Sequence, residues 1–93
     1  MLQKVKDYLK ITWDDEDSQL NSLVDRGKKY LEGLTGVILG FEDDSLEQGL
    51  LLDYCRYAYN NATEYFQENY SSDILRLQLF CGVDQLNESE EGG

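Results

Sequence analysis

Histidine and proline are absent from this 93-residue chain, and tryptophan and methionine occur once each. Without histidine, the side chain most often used for acid–base work near neutral pH is missing. The carboxylates fall at helix starts and on polar faces, where solvation rather than catalysis is their expected role. Basic residues are scarce: eight Lys and Arg against nineteen Asp and Glu leave a net charge of −11. That balance argues against phosphate-backbone binding, which needs clustered cations. It suits a solvated surface, a basic partner, or a wall that must not hold DNA. The two cysteines, Cys55 and Cys81, lie too far apart in sequence for a zinc motif. Met1-Leu2-Gln3-Lys4 runs straight into a polar pattern with no expected secretory leader. A reducing compartment follows, with both thiols acting as buried hydrophobes rather than a disulfide. No apolar run approaches the roughly 20 residues that cross a bilayer, so no membrane partner is expected. There is no Gly-rich phosphate loop and no nucleophile beside a base. An EF-hand loop counted from Asp14 would need Gly and Glu where Gln19 and Asp25 stand. The chain is expected to be a non-enzyme with no catalytic residues, no metal and no cofactor.

The lack of proline, together with long periodic stretches, favours an all-α fold. The expected form is a compact bundle of about four helices with one long central helix. Residues 1–86 would form the domain and residues 87–93 an acidic, disordered tail. Leu2, Val5 and Leu9 mark a first helix over residues 2–11, and Trp13 is expected to plug the small core. Asp14 or Asp15 would cap the second helix, with Glu16 and Asp17 at its positive end. Leu20, Leu23, Val24, Gly27, Leu31 and Leu34 make its apolar stripe. Gly27 costs about 1 kcal/mol against Ala in a helix interior, which a close helix–helix approach would justify. Gly36 is the left-handed cap that ends it.

Ser45 and Gln48 form a capping box that opens the long helix, over residues 46–69. Leu51, Cys55, Ala58, Ala62 and Tyr65 lie near one line of its wheel, and the apolar arc widens to roughly 200°. Such a helix is either central in the fold or packed on two sides, once by its own domain and once by a neighbour. Four of the seven tyrosines lie on it. Tyrosine joins an apolar body to a hydrogen-bonding tip and is enriched at interfaces. From the wheel, Tyr54, Arg56, Tyr57 and Tyr59 are the expected interface, with the tail or last helix as docking segment. Residues 74–80 alternate like a strand yet also fit helical spacing; helix is the favoured reading, ended by Gly82.

The chain resembles the small helical head–tail connector, or adaptor, proteins of tailed bacteriophages. The resemblance rests on Lys6, Tyr8, Leu9 and Ile11, the acidic turn Asp14 to Asp17, and Glu32, Thr35 and Gly36. Leu50-Leu51-Leu52 through Tyr59-Asn60-Asn61 adds the aliphatic then aromatic helix. It covers residues 3–66 and, loosely, 74–80. Where members often carry an arginine after the tyrosine–asparagine segment, this chain has Ala62. The resemblance implies a structural virion protein of the neck, assembled in the bacterial cytoplasm. It implies a ring of identical copies docked on the portal protein, continuing the DNA channel and receiving a stopper or tail-completion protein. Double-stranded DNA would then be passing cargo, repelled by acidic walls. The main rival reading is an acidic DNA mimic that inhibits a host DNA-binding enzyme. A generic helical adaptor or antitoxin-like regulator is a second.

Overall fold

The computed structural model describes residues 1–92, with side chains up to Gly82. The described backbone is helical with no strand. It comprises α1 (Leu2–Leu9), α2 (Asp17–Thr35), α3 (Leu46–Tyr59), a 3-10 turn (Thr63–Tyr65), α4 (Phe66–Asn69) and α5 (Ser71–Gly92). The tail expected from residue 87, and the domain limit it sets, lie outside the residues whose side chains are described.

α2 and α3 pack against each other and form the centre. The α2 stripe turns inward: Leu20, Leu23, Val24 and Leu31 are buried, facing Leu50, Leu51, Tyr54 and Cys55 of α3 across one core. Gly27 lies where the two helices come closest. A Cβ built there would stand 2.6 Å from Leu51 Cδ1 and 2.9 Å from Tyr54 Cδ1. α1 and α5 flank this pair, and Val5, Ile74 and Leu77 complete the core.

The helix ends explain how the chain turns without proline. α1 closes in a Schellman motif: Lys10 takes φ 61° and donates to Asp7 O (3.2 Å), while Ile11 N–H donates to Lys6 O (2.8 Å). The motif turns Ile11 into the core. Trp13 is therefore not the expected plug; it is 46% exposed, and Ile11 fills that corner. The cap of α2 also differs from expectation. The N-cap position is Glu16, with no side-chain capping bond. Neither Asp14 nor Asp15 takes that place, because a turn closed by Asp17 N–H on Asp14 O (3.2 Å) precedes the helix. The Asp14 carboxylate is instead drawn to Lys6 Nζ at 2.6 Å. At the far end Gly36 takes φ 77° and donates to Glu32 O at 2.8 Å. Ser45 Oγ accepts from Gln48 N–H at 3.1 Å. The Gln48 side chain does not return to Ser45; its Oε1 accepts from Asp44 N–H and its Nε2 donates to Asp43 Oδ1, each at 3.3 Å.

The long helix expected over residues 46–69 is broken after Tyr59. Asn61 takes φ 56°, its N–H donates to Ala58 O (3.1 Å), and Ala62 N–H donates to Tyr57 O (2.8 Å). This is a second Schellman motif, and asparagine tolerates its left-handed position better than most non-glycine residues. The break carries Tyr65 off the stripe to 56% exposure and turns Phe66 inward. α4 has four residues and no independent stability. Burial of Phe66, worth about 1.5–3 kcal/mol, anchors it. Residues 74–80 are helical within α5, and Gly82 lies inside that helix rather than ending it. A glycine weakens a helix but stops it only by taking a left-handed turn, and among the described glycines only Gly36 has positive φ.

Candidate subunit interface

Phe66 organises the end of α3. The rings of Tyr54, Tyr57 and Tyr70 lie 5.5, 5.7 and 4.9 Å from it, centre to centre, and Tyr30 stacks on Tyr54 at 5.3 Å. Aromatic pairs at these separations add about 0.5–1.5 kcal/mol each beyond area burial. The cluster answers much of the tyrosine excess. Tyr54, only 7% exposed, lies within the subunit core.

Arg56 and Tyr57 remain at the surface and are brought together. With Asn60 and Ala62 they line a shallow cavity of about 220 Å³. The Arg56 guanidinium lies 5.4 Å from the Tyr57 ring centre and 6.0 Å from that of Tyr8. Its Nη2 donates to Tyr70 OH at 2.7 Å and ion-pairs with Asp53 at 3.5 Å. Asn69 Nδ2 donates to Tyr57 OH at 3.0 Å, which fixes the ring. Tyr8 OH donates to the Asp53 carboxylate, and that bond, with partial burial, pushes the phenol up to about 12. Tyr59 lies apart from this group. Its hydroxyl donates to Glu16 Oε2 at 2.8 Å, tying α3 to the start of α2 and raising its own pKa. Of the four expected residues, the fold joins two, buries one and sets one to other work.

A second uncovered surface lies on the last helix, expected as a docking segment although none of its residues was singled out. α5 buries Ile74 and Leu77 against α2 and α3, and Gln78 Nε2 donates to Leu34 O at 2.9 Å. On its other sides Leu75, Leu79 and Phe80 stand 55%, 60% and 61% exposed. The signal was present in the segment Ile74–Phe80: five of its seven residues are apolar, more than one helix face can bury. The alternation of Leu75, Leu77 and Leu79 obscured it by imitating a strand. Ile38, in the loop after α2, is 92% exposed.

Carboxylates dominate the remaining surface. Asp44, Asp53 and Asp73 edge a groove of about 390 Å³ beside the start of α3. No group of side chains able to hold a metal ion occurs among the described residues. No helix among them is long and apolar enough to cross a membrane.

The molecule is a small acidic helical scaffold that leaves apolar side chains uncovered on α5 and at Ile38 in the loop after α2. The chain belongs to the phage gp6-like head-tail connector protein family, whose profile matches residues 1–80. Neither a curated protein nor a solved structure matches it. The protein is thus a structural bacteriophage connector, of a family that works in the virion neck with portal and tail proteins and is not enzymatic. The match lends nothing to the DNA-mimic reading.

Proposed function

We propose that the protein docks on the portal vertex as a ring of identical subunits that continues the DNA channel. Below, the ring receives a stopper or tail-completion protein. Assembly takes place in the cytoplasm of the bacterial host, and double-stranded DNA passes through without being held. The observation that carries this reading, beside family membership, is the apolar surface α5 leaves uncovered at Leu75, Leu79 and Phe80. Leu75 and Leu79 lie one helical turn apart, and apolar side chains grouped on an exposed helix face suit a contact with another molecule.

A ring contact is heterologous, so each subunit must offer two different surfaces. Arg56 and Tyr57 at the end of α3 supply one and α5 the other. Tyr54 drops out of the proposed contact because it is buried, and Tyr59 because Glu16 holds it. The net charge of −11 suits a channel wall, since carboxylates repel the duplex backbone. The test is sedimentation of the purified protein mixed with portal rings. Wild type should shift into the portal peak. Leu79→Glu should not, while keeping the helical circular-dichroism signal of the wild type. Tyr57→Asp is the poorer choice, because Tyr57 packs on Phe66 and its loss would loosen α4. Binding of Leu79→Glu at wild-type strength would remove α5 from the contact.

A further inference from the structure

α1 is held to the rest of the molecule in an unusual way. Its apolar seam is narrow: Val5 is fully buried, while Leu2 and Leu9 are half-buried. On a helical wheel Lys6 flanks that seam on one side, and Lys4 and Tyr8 flank it on the other. All three flanking residues reach aspartates, on different parts of the fold. Lys4 Nζ meets Asp43 Oδ1 at 2.9 Å, in the loop before α3. Lys6 Nζ meets Asp14 at 2.6 Å in the turn and Asp17 at 2.9 Å at the start of α2. Tyr8 donates to Asp53 of α3. The Lys4–Asp43 pair lies open to solvent, and Tyr8 is exposed. An eight-residue helix has no independent stability, so α1 exists only while docked.

We infer that α1 is a charge-latched strap: Lys4, Lys6 and Tyr8 pin it across α2 and α3, and screening of those contacts frees it as a unit while the α2–α3 pair stays folded. The exposed Lys4–Asp43 pair weakens as salt shortens the screening length; the Lys6 pairs, on a side chain 7% exposed, weaken less, and burial of Leu20, Leu31, Leu51 and Cys55 does not depend on charge. Release uncovers the side of α2–α3 that α1 covers, and a cationic partner that takes over the same aspartates would have the same effect as salt. The inference rests on the fold alone, so it stands or falls separately from the connector reading.

Hydrogen–deuterium exchange on the full chain at neutral pH tests it, comparing about 0.02 M with about 1 M NaCl. Amides of residues 5–11 should exchange about threefold faster in high salt, the size expected for losing one exposed ion pair, while those of residues 20–31 and 50–58 hold their rates. An α1 rate indifferent to salt, or one that rises in step with α2 and α3, overturns the inference. The double substitution Lys4→Ala with Tyr8→Phe touches two exposed side chains. At low salt it should already give the fast α1 exchange of the wild type in high salt. A wild-type α1 rate in that variant would mean that the apolar seam and Lys6 hold the helix without Lys4 and Tyr8, and the three-point strap would be refuted. Lys29→Ala, an exposed cation outside the latch, should leave α1 unchanged; an equal acceleration there would refute a specific latch.

Discussion

At the scale of single residues, Gly27 and Gly33 make a controlled pair on one helix. Both gain about 1 kcal/mol of helix propensity on replacement by alanine. At Gly33 nothing lies within 4 Å of the added Cβ, so Gly33→Ala should stabilise by up to about 1 kcal/mol. At Gly27 the methyl would press on Leu51 at 2.6 Å and the stiff Tyr54 ring at 2.9 Å. Overpacking of this kind costs about 1–3 kcal/mol, so Gly27→Ala should lose about 1 kcal/mol net. Urea midpoints of the two variants, measured side by side, check both signs. Gly27 was readable in the sequence because a glycine on the buried line of a strongly periodic helix needs a reason. Lys6 was not. On a helical wheel it is one polar residue among others, and only the turn that brings Asp14 and Asp17 over it explains a lysine side chain left 7% exposed. Tyr54 was misjudged for a related reason: a tyrosine on the flank of an apolar arc looks the same whether its own chain or a neighbour covers it.

The elements were legible where periodicity and punctuation agreed. α2 shows both, with six apolar or small residues at three- and four-residue steps and a Thr-Gly stop. The region after Tyr59 shows them in conflict. Ala62 and Tyr65 continue the wheel by coincidence, while Asn60-Asn61 already carries the stop. A left-handed position suits glycine best, so Asn61→Gly should raise stability by up to about 1 kcal/mol. Asn61→Val should lower it by more, both read from thermal melts. For α1 the electrostatics set a pH window. Lys6 holds the Asp14 carboxyl, and Lys4 the Asp43 carboxyl, below the ordinary value of 3.8. The stabilisation they give is complete above that value and is lost as pH falls through the lowered folded values. The same bonds raise Lys4 and Lys6 above 10.5, so the alkaline loss begins only as pH rises past that value. Tyr8, neutral up to about 12, retains its bond to Asp53 into the same range. Protection of the α1 amides should therefore be flat from about pH 5 to 9 and fall below about pH 4, once intrinsic exchange rates are divided out.

At the scale of the whole molecule, the charge of −11 and the apolar surface of α5 pull assembly in opposite directions. Copies repel one another through a field that salt screens, and attract through surface that salt does not weaken. Self-association should therefore strengthen between about 0.05 and 0.5 M NaCl in sedimentation velocity, where a contact made of ion pairs would weaken. Leu79→Glu should abolish the association at every salt concentration. The location of the single tryptophan has a spectroscopic consequence. Trp13 stands outside the core, 46% exposed, in the link between α1 and α2. Its native emission should already be red-shifted and open to acrylamide, and should change little when the bundle melts. Emission will follow the link and circular dichroism the helices, so the two unfolding curves should not superimpose. For this protein that mismatch would arise from where its only indole was placed, before any folding intermediate is invoked.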